Sequence, residues 1–171
     1  MRLSRTLTSL AIAAACATGA SAHEYYVGGP VHQYDMEIAA NYLVGVEMSP
    51  MPAGMDMDKD AIHLEADVHA TADNSWGFSD GEWIPMLTIK YTLVKEGANW
   101  KKTGKLVAMQ AKDGPHYANN VAMNGPGKYK VTYEFISPTT SGYIRHTDKE
   151  TGLPAWWKTF SETFEFQYPQ K

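Results

Sequence analysis

The sequence has a single cysteine, Cys16, and that residue lies close to the start of the chain. With no second thiol, an internal disulfide and a metal site built from several thiolates are both excluded. No Gly-rich phosphate loop, Gly-x-Ser-x-Gly elbow or Cys-x-x-Cys pair is present. No activated nucleophile is visible beside the histidines. The sequence therefore gives no positive sign of an enzyme, and we do not predict one.

A long apolar run is also missing. Residues 7–17 are mostly small and apolar, but they are too few and too rich in alanine for a good membrane-spanning helix. Arg2 and Arg5 precede this run and Ala20-Ser21-Ala22 follows it, which fits a secretory signal peptide with its cleavage site. Cys16 follows three alanines in a weak lipoprotein-like box that lacks the usual bulky residue. We therefore predict cleavage after Ala22, with lipid anchoring at Cys16 as the weaker alternative.

Basic charge is scarce. The chain has 15 Lys and Arg against 19 Asp and Glu, a formal net charge of −4, and cleavage at residue 22 would remove two arginines. An acidic secreted protein has no electrostatic case for binding nucleic acid, whereas its charge suits the attraction of cations. Residues 23–171 are enough for one domain with a real core. We predict a single secreted domain over 23–171, with no direct membrane insertion after signal cleavage.

What the sequence does contain is a strict alternation over residues 62–70. Apolar residues occupy the even positions, and the odd positions carry His63, Glu65, Asp67 and His69. A period of two indicates a half-buried β-strand, and imidazole and carboxylate are groups that bind transition metals. A solvated strand face is the alternative. Because two residues advance a strand by about 6.6 Å, His63 and His69 lie about 20 Å apart and cannot share one ion. The predicted cluster is His63 with Glu65, and Asp67 as a further member.

Other segments complete an all-β pattern. β-branched and aromatic residues predict strands over 36–46, 83–94, 105–111, 128–136 and 159–168. Residues 24–34, which include Gly28-Gly29-Pro30, are predicted to be an irregular lead-in. About seven strands, no amphipathic helix and no repeat predict a single-domain β-sandwich.

Three further places are candidates for metal chemistry. The turn Asp113-Gly114-Pro115 is predicted to hold His116 on a stiff corner, where a ligand is preorganised. Cleavage after Ala22 would leave His23 at the amino terminus, where amine and imidazole can chelate Cu²⁺ as a histidine brace; chance placement is the alternative. The four methionines of loop 48–57 offer thioethers to Cu⁺, or else form an adaptable apolar loop.

Five motifs, taken together, carry a resemblance to a known family. They are Met-Glu-Ile-Ala-Ala-x-Tyr-Leu at 36–43, Ile-His-Leu-Glu-Ala-Asp-x-His-Ala at 62–70, Trp-x-Pro-x-Leu-Thr-Ile at 83–89, Met-x-Ala-x-Asp-Gly-Pro-His-Tyr at 109–117 and Arg-His-x-Asp at 145–148. In this order they resemble the periplasmic Fe²⁺/Cu²⁺-binding proteins that work with bacterial high-affinity iron permeases. The resemblance extends over nearly the whole of residues 23–171.

This resemblance implies a homodimer of immunoglobulin-like sandwiches with a metal site near the dimer interface. The implied ligands are His63, Glu65, Met109 and His116, joined by His146 of the partner subunit. Two further residues of the matching motifs, Glu37 and Asp67, are candidates for a second, nearby position. His69 also matches, but its spacing places it away from the ion.

The donor set agrees with the metals that the resemblance implies. A thioether with imidazoles suits copper, whereas imidazoles with a carboxylate tolerate Fe²⁺ or Mn²⁺ in a labile way. Copper binds most tightly in the Irving–Williams order, so it can win in vitro even where iron is the cargo. The leading hypothesis is a periplasmic component of ferrous iron uptake that passes iron to an inner-membrane permease. The alternatives are a copper-trafficking or resistance protein, a copper monooxygenase that uses a His23 brace, and an adhesion-type sandwich without metal.

Overall fold

The computed structural model describes residues 23–58 and 60–170, and the predicted signal peptide over 1–22 lies outside them. This part of the chain forms eight β-strands and one 3₁₀ helix, Pro138–Ser141, after the seventh strand. The strands are β1 (Glu24–Gln33), β2 (Met36–Val44), β3 (Ala61–Ala70), β4 (Thr88–Lys95), β5 (Lys101–Gln110), β6 (Pro115–Ala122), β7 (Gly127–Ile136) and β8 (Phe160–Tyr168). Within the described ranges no helix has the length and apolar character needed to cross a membrane.

All eight strands pair antiparallel in the order β1-β2-β3-β6-β5-β4-β7-β8. The long strand β5 divides this sheet into two layers, because its first half pairs with β4 and its second half pairs with β6. The edge strands β1 and β8 then pack against each other. The prediction of an all-β domain is confirmed, while the immunoglobulin-like assignment stays a prediction.

The core lies between the two layers and is filled by alternating side chains. Ile62, Leu64, Ala66 and Val68, the even-numbered residues of β3, are completely buried. The other layer contributes the alternating aromatic and branched side chains of β7, Tyr129, Val131, Tyr133 and Phe135. This is the packing that a period of two predicts for both strands.

Strand β1 was predicted wrongly as an irregular lead-in. It runs through Gly28-Gly29-Pro30, and its pairing with β2 shifts between Tyr26 and Gly28 and again between Gly28 and Val31. Bulges of this kind let a strand accommodate glycine and proline without ending. The turn residues therefore mark irregularities inside a strand.

Two other expectations on the strands need correction. His116 does not lie on a corner, because it is the second residue of strand β6. This strand was not predicted, because Asn119 and Asn120 have low β-propensity. The strand predicted over 83–94 begins only at Thr88. Before it, Met86 has a positive φ of 62° and Trp83 forms only an isolated bridge with His69.

Candidate metal centre

The odd-numbered face of β3 forms the floor of an open cleft of about 1610 Å³. Loop residues 45–50 line one side of the cleft, and the β5–β6 turn lines the other. Strand pairing explains why the ligands share this face, since Asn120 lies opposite His63 and Met109 lies opposite His116. Residues that face each other across antiparallel strands have side chains on the same side of the sheet.

Three of the predicted ligands meet on this floor. Donor atoms of His63, Glu65 and His116 all lie within 4.8 Å of one another. Glu65 Oε1 lies 3.5 Å from His63 Nε2 and 3.4 Å from His116 Nε2. The two imidazole rings are 5.8 Å apart and nearly perpendicular. All three residues are buried, with exposed fractions of 3%, 7% and 8% in chain order.

Asn120 fixes the orientation of His63. The Oδ1 atom of Asn120 lies 2.7 Å from His63 Nδ1, and an amide oxygen can only accept a hydrogen bond. The proton of the neutral imidazole therefore sits on Nδ1, so Nε2 presents a free electron pair toward Glu65. Metal-binding histidines are commonly oriented in this way by a second residue. Asn120 was not identified from the sequence, because the pairing of β3 with β6 cannot be seen there.

The cluster is short of positive charge. Burial, together with the nearby charge of Asp67, raises the pKa of Glu65 to about 8. Burial also lowers the pKa of His63, which keeps this imidazole neutral and available as a ligand. His116 Nε2 is buried with no hydrogen-bond partner, because its 3.4 Å contact with Glu65 does not meet hydrogen-bond geometry. A transition-metal cation would give His116 Nε2 its missing partner and could also bind the neighbouring donors of His63 and Glu65, so the residues fit a bound metal.

Asp67 and Glu24 extend the cluster toward β1. Carboxylate oxygens of Glu24, Glu65 and Asp67 lie within 4.8 Å of one another, and the Nδ2 of Asn41 donates to Asp67 Oδ2 at 3.1 Å. Burial raises the pKa of Asp67, because desolvation outweighs the stabilisation by His116. Asp67 thus lies beside Glu65, on the side of the cluster that faces β1. Glu24 was missed because β1 was predicted to be irregular.

Met109 also lies at the centre, whereas Glu37 does not. Met109 lines the cleft directly across from His116. Glu37 pairs instead with His32, at 3.3 Å between Oε2 and Nε2, and lies opposite His69. That position is roughly 13 Å along the strand from Glu65. Within one chain, Glu37 therefore belongs to a different part of the sheet.

His146 lies outside the cleft of its own chain, with a side chain that is 71% exposed. Its orientation is nonetheless defined. Asp148 Oδ2 accepts from the Thr151 hydroxyl at 2.8 Å, so Thr151 Oγ1 is free to accept from His146 Nδ1, also at 2.8 Å. This arrangement leaves the free electron pair of His146 on Nε2.

The alternative metal positions are not assembled as single sites. The ring of His23 packs edge-on against Tyr25, and His23 belongs to none of the groups of three or more donor side chains found in the described ranges. In the methionine-containing loop, Met48 lines the cleft and Met55 is buried, whereas Met57 is 70% exposed. The four thioethers therefore do not form one cluster.

Comparison with known proteins agrees with this geometry. The sequence profile of a family described as Fe²⁺ transport protein matches residues 21–169. A UPF0423 protein of Brucella abortus is 42% identical over 161 residues, which cover 90% of this chain and 86% of that protein. The 34 kDa membrane antigen of Treponema pallidum is 35% identical over 73% of this chain and 60% of the antigen.

Solved structures give the same result. One similar structure is a copper-bound glutamate-to-glutamine variant of FetP from uropathogenic Escherichia coli strain F11. It is 48% identical to this chain with a TM-score of 0.82, and the match covers 86% of this chain and 98% of the FetP chain. Copper-reconstituted P19 from Campylobacter jejuni is 40% identical, with a TM-score of 0.80, and covers 86% and 97% of the two chains. Proteins with this fold and this level of identity thus include two whose structures contain copper.

Proposed function

Because the chain belongs to the Fe²⁺ transport protein family, we propose that it is a periplasmic metal-binding protein of a high-affinity ferrous iron uptake system. It binds Fe²⁺ and Cu²⁺ and delivers iron to an inner-membrane permease. The observation that carries this proposal is the meeting of three buried donor groups, His63, Glu65 and His116, among which His116 Nε2 has no hydrogen-bond partner.

In this proposal His63, Glu65, Met109 and His116 supply the metal ligands of one chain. The two imidazoles and the carboxylate suit Fe²⁺, and the thioether adds affinity for copper. Asn120 holds His63 in the correct tautomer. Asp67, next to the central carboxylate, provides a second position toward which an ion can move.

The cleft also suits release of the metal. It is open to solvent along the ligand face, so an ion can leave without unfolding the domain. Glu65 has a pKa raised to about 8 and therefore takes up a proton readily when the metal departs. A delivery protein needs this reversible exchange, whereas a closed four-coordinate site would retain its ion.

A dimer would complete the ligand set. We propose that the partner subunit's His146 closes the site, as an exposed imidazole with a defined tautomer. The neighbouring Ile144 is 88% exposed and Tyr143 is 38% exposed, which gives this loop an apolar surface suited to an interface. The same arrangement would pair two immunoglobulin-like sandwiches.

Copper handling is the second candidate function. The thioether of Met109 beside His116 and the copper-bound structures of the FetP variant and P19 favour it. Copper also outcompetes iron at most sites with nitrogen ligands. Mn²⁺ stays a prediction, since none of the similar proteins named above was described with manganese.

Growth under iron limitation tests the two functions. A bacterial strain that lacks this protein but keeps the permease would receive the parent chain, a His63→Ala/His116→Ala variant, or a His23→Ala control. Iron delivery predicts that radioactive iron uptake is restored by the parent and the control but not by the double variant. Normal uptake by the double variant, with loss of copper tolerance instead, would favour copper handling and overturn iron delivery.

A further inference from the structure

The ligand face of β3 continues beyond the proposed metal centre into a second row of donor groups. His32 on β1 lies directly opposite Glu37 on β2, and Glu37 lies directly opposite His69 on β3. Residues opposite each other across antiparallel strands project from the same face. An imidazole, a carboxylate and an imidazole therefore stand side by side across three neighbouring strands.

The spacing of this row suits a shared ion. Neighbouring strands lie about 4.8 Å apart, so His32 and His69 flank Glu37 at roughly 9.6 Å from each other. An imidazole extends several ångström beyond its Cβ, and a metal bond adds about 2 Å at each end. Glu37 already approaches His32, with 3.3 Å between Oε2 and Nε2. Both of these side chains are well exposed, at 49% and 62%, and free to turn toward the intervening space.

We propose that His32, Glu37 and His69 bind a second divalent transition-metal cation, separate from the ion of the cleft centre. Two imidazoles and one carboxylate form a borderline donor set that takes Fe²⁺, Zn²⁺ or Cu²⁺. The row lies roughly 13 Å along β3 from Glu65, too far for one ion to contact both groups of ligands.

His69 connects the two regions. It lines the same cleft as His63 and Glu65, with Asp67 between them on the same face. The second site therefore lies at one end of a continuous series of donor side chains. A metal bound there would be held in the cleft without occupying the central ligands.

Zinc binding tests the proposal, because Zn²⁺ has no redox chemistry to complicate the measurement. Equilibrium dialysis of the chain over 23–171 would be run in a His63→Ala/His116→Ala background, which disables the central site. Adding His32→Ala or His69→Ala to this background should raise the zinc dissociation constant at least about tenfold. Glu165→Gln, which removes an exposed carboxylate on β8 outside the row and outside the cleft, serves as the control and should change nothing.

The result can go against the proposal in two ways. A background variant that binds no Zn²⁺ would overturn it, and so would binding that neither His32→Ala nor His69→Ala weakens. The proposed central site could fail on its own, and that result would look different. The parent and the His63→Ala/His116→Ala variant would then bind the same number of zinc ions, while His32→Ala and His69→Ala would still weaken zinc binding.

Discussion

The even-numbered side chains of β3 are buried by other apolar side chains, whereas the odd-numbered ones face a cleft, where His63 and Glu65 are buried and Asp67 and His69 are half-buried. Leu64 is completely buried in the core between the two layers, and His63 and Glu65 are 3% and 7% exposed on the opposite face. At these positions both faces of one strand are thus withdrawn from water. Only the first gains free energy directly from that withdrawal, because its groups are apolar.

On the polar face, burial instead carries a cost of desolvation. Desolvation raises the pKa of Glu65 to about 8 and lowers that of His63, so burial disfavours the charged form of each. A bound cation would offset this cost of desolvation, because it interacts with the carboxylate and with both imidazole electron pairs. Similar burial can therefore contribute to stability on one face of a strand and to ligand binding on the other. Substitutions on the apolar face should therefore reduce mainly stability, and substitutions on the polar face should reduce mainly metal affinity.

The largest expected effect is on the apolar face. Leu64→Ala should lower the free energy of unfolding by about 2–5 kcal/mol, because it leaves a cavity in the packed core. Copper affinity of the molecules that remain folded should change little. Chemical denaturation and copper titration measure the two quantities. His63→Ala, at the adjacent position, should lower copper affinity and change the free energy of unfolding little. If His63→Ala unfolded the domain as severely as Leu64→Ala, the two faces would not differ in the way described.

Glu65→Gln should stabilise the metal-free protein while weakening metal binding. A folded pKa near 8, against about 4.5 when unfolded, means that the folded state holds an extra proton between these values. Glu65 therefore makes the metal-free protein less stable as pH rises from 4.5 to 8. Glutamine removes this loss, so the variant should gain about 1–3 kcal/mol at pH 8.5 and little near pH 4.5.

Thermal unfolding of metal-free parent and variant at pH 4.5 and 8.5 measures that gain. His63 titrates in both proteins, so the difference between them isolates Glu65. Metal affinity of the parent should rise with pH up to about 8, because Glu65 must lose its proton to bind. Equal stability of parent and variant at pH 8.5 would show that the carboxylate is not destabilised by burial.

Asn120→Ala should reduce metal affinity about tenfold without a comparable loss of stability. Its amide oxygen fixes the tautomer of His63, and orienting residues of this kind typically affect affinity to that extent. Asn119→Ala is the matched control, since that side chain donates to the backbone of Lys105 and not to a ligand. Isothermal titration with Cu²⁺ compares them. Equal affinity in the two variants would remove the orienting role.

Thr151→Val should have the smallest effect, because the bond it breaks is exposed. If the partner subunit's His146 closes the site as proposed, loss of the hydroxyl between His146 and Asp148 should weaken metal binding by the proposed dimer roughly threefold. Thr147→Val in the same loop is the control, and affinity would be measured together with oligomeric state. An unchanged affinity in Thr151→Val, beside a clear loss in His146→Ala, would show that His146 needs no orienting partner.

Local patterns in the sequence were sufficient for β3 and β7 and insufficient where pairing matters. Alternation identified both faces of β3, since a strand's period can be read from one segment alone. It could not identify Asn120 or Glu24, because their positions depend on which strands are neighbours and in what register. The same applies to Glu37, whose motif matched but whose strand partner is His69.

Turn residues caused the remaining errors. Gly28-Gly29-Pro30 predicted an irregular lead-in, yet the chain bulges there and remains in β1. Asp113-Gly114 does form a turn, but β6 begins at once afterwards, so His116 is held by pairing with Met109 rather than by the turn. Sequence patterns marked where the backbone is irregular without showing whether the strand ends.

An anomalous difference map from copper-loaded crystals, recorded at the copper absorption edge, tests the central claim most directly. The account predicts a strong peak about 2.0–2.1 Å from the Nε2 atoms of His63 and His116 and next to Glu65. A peak that avoids both imidazoles, or none on the ligand face of β3, would contradict the assignment of this cluster as the metal centre.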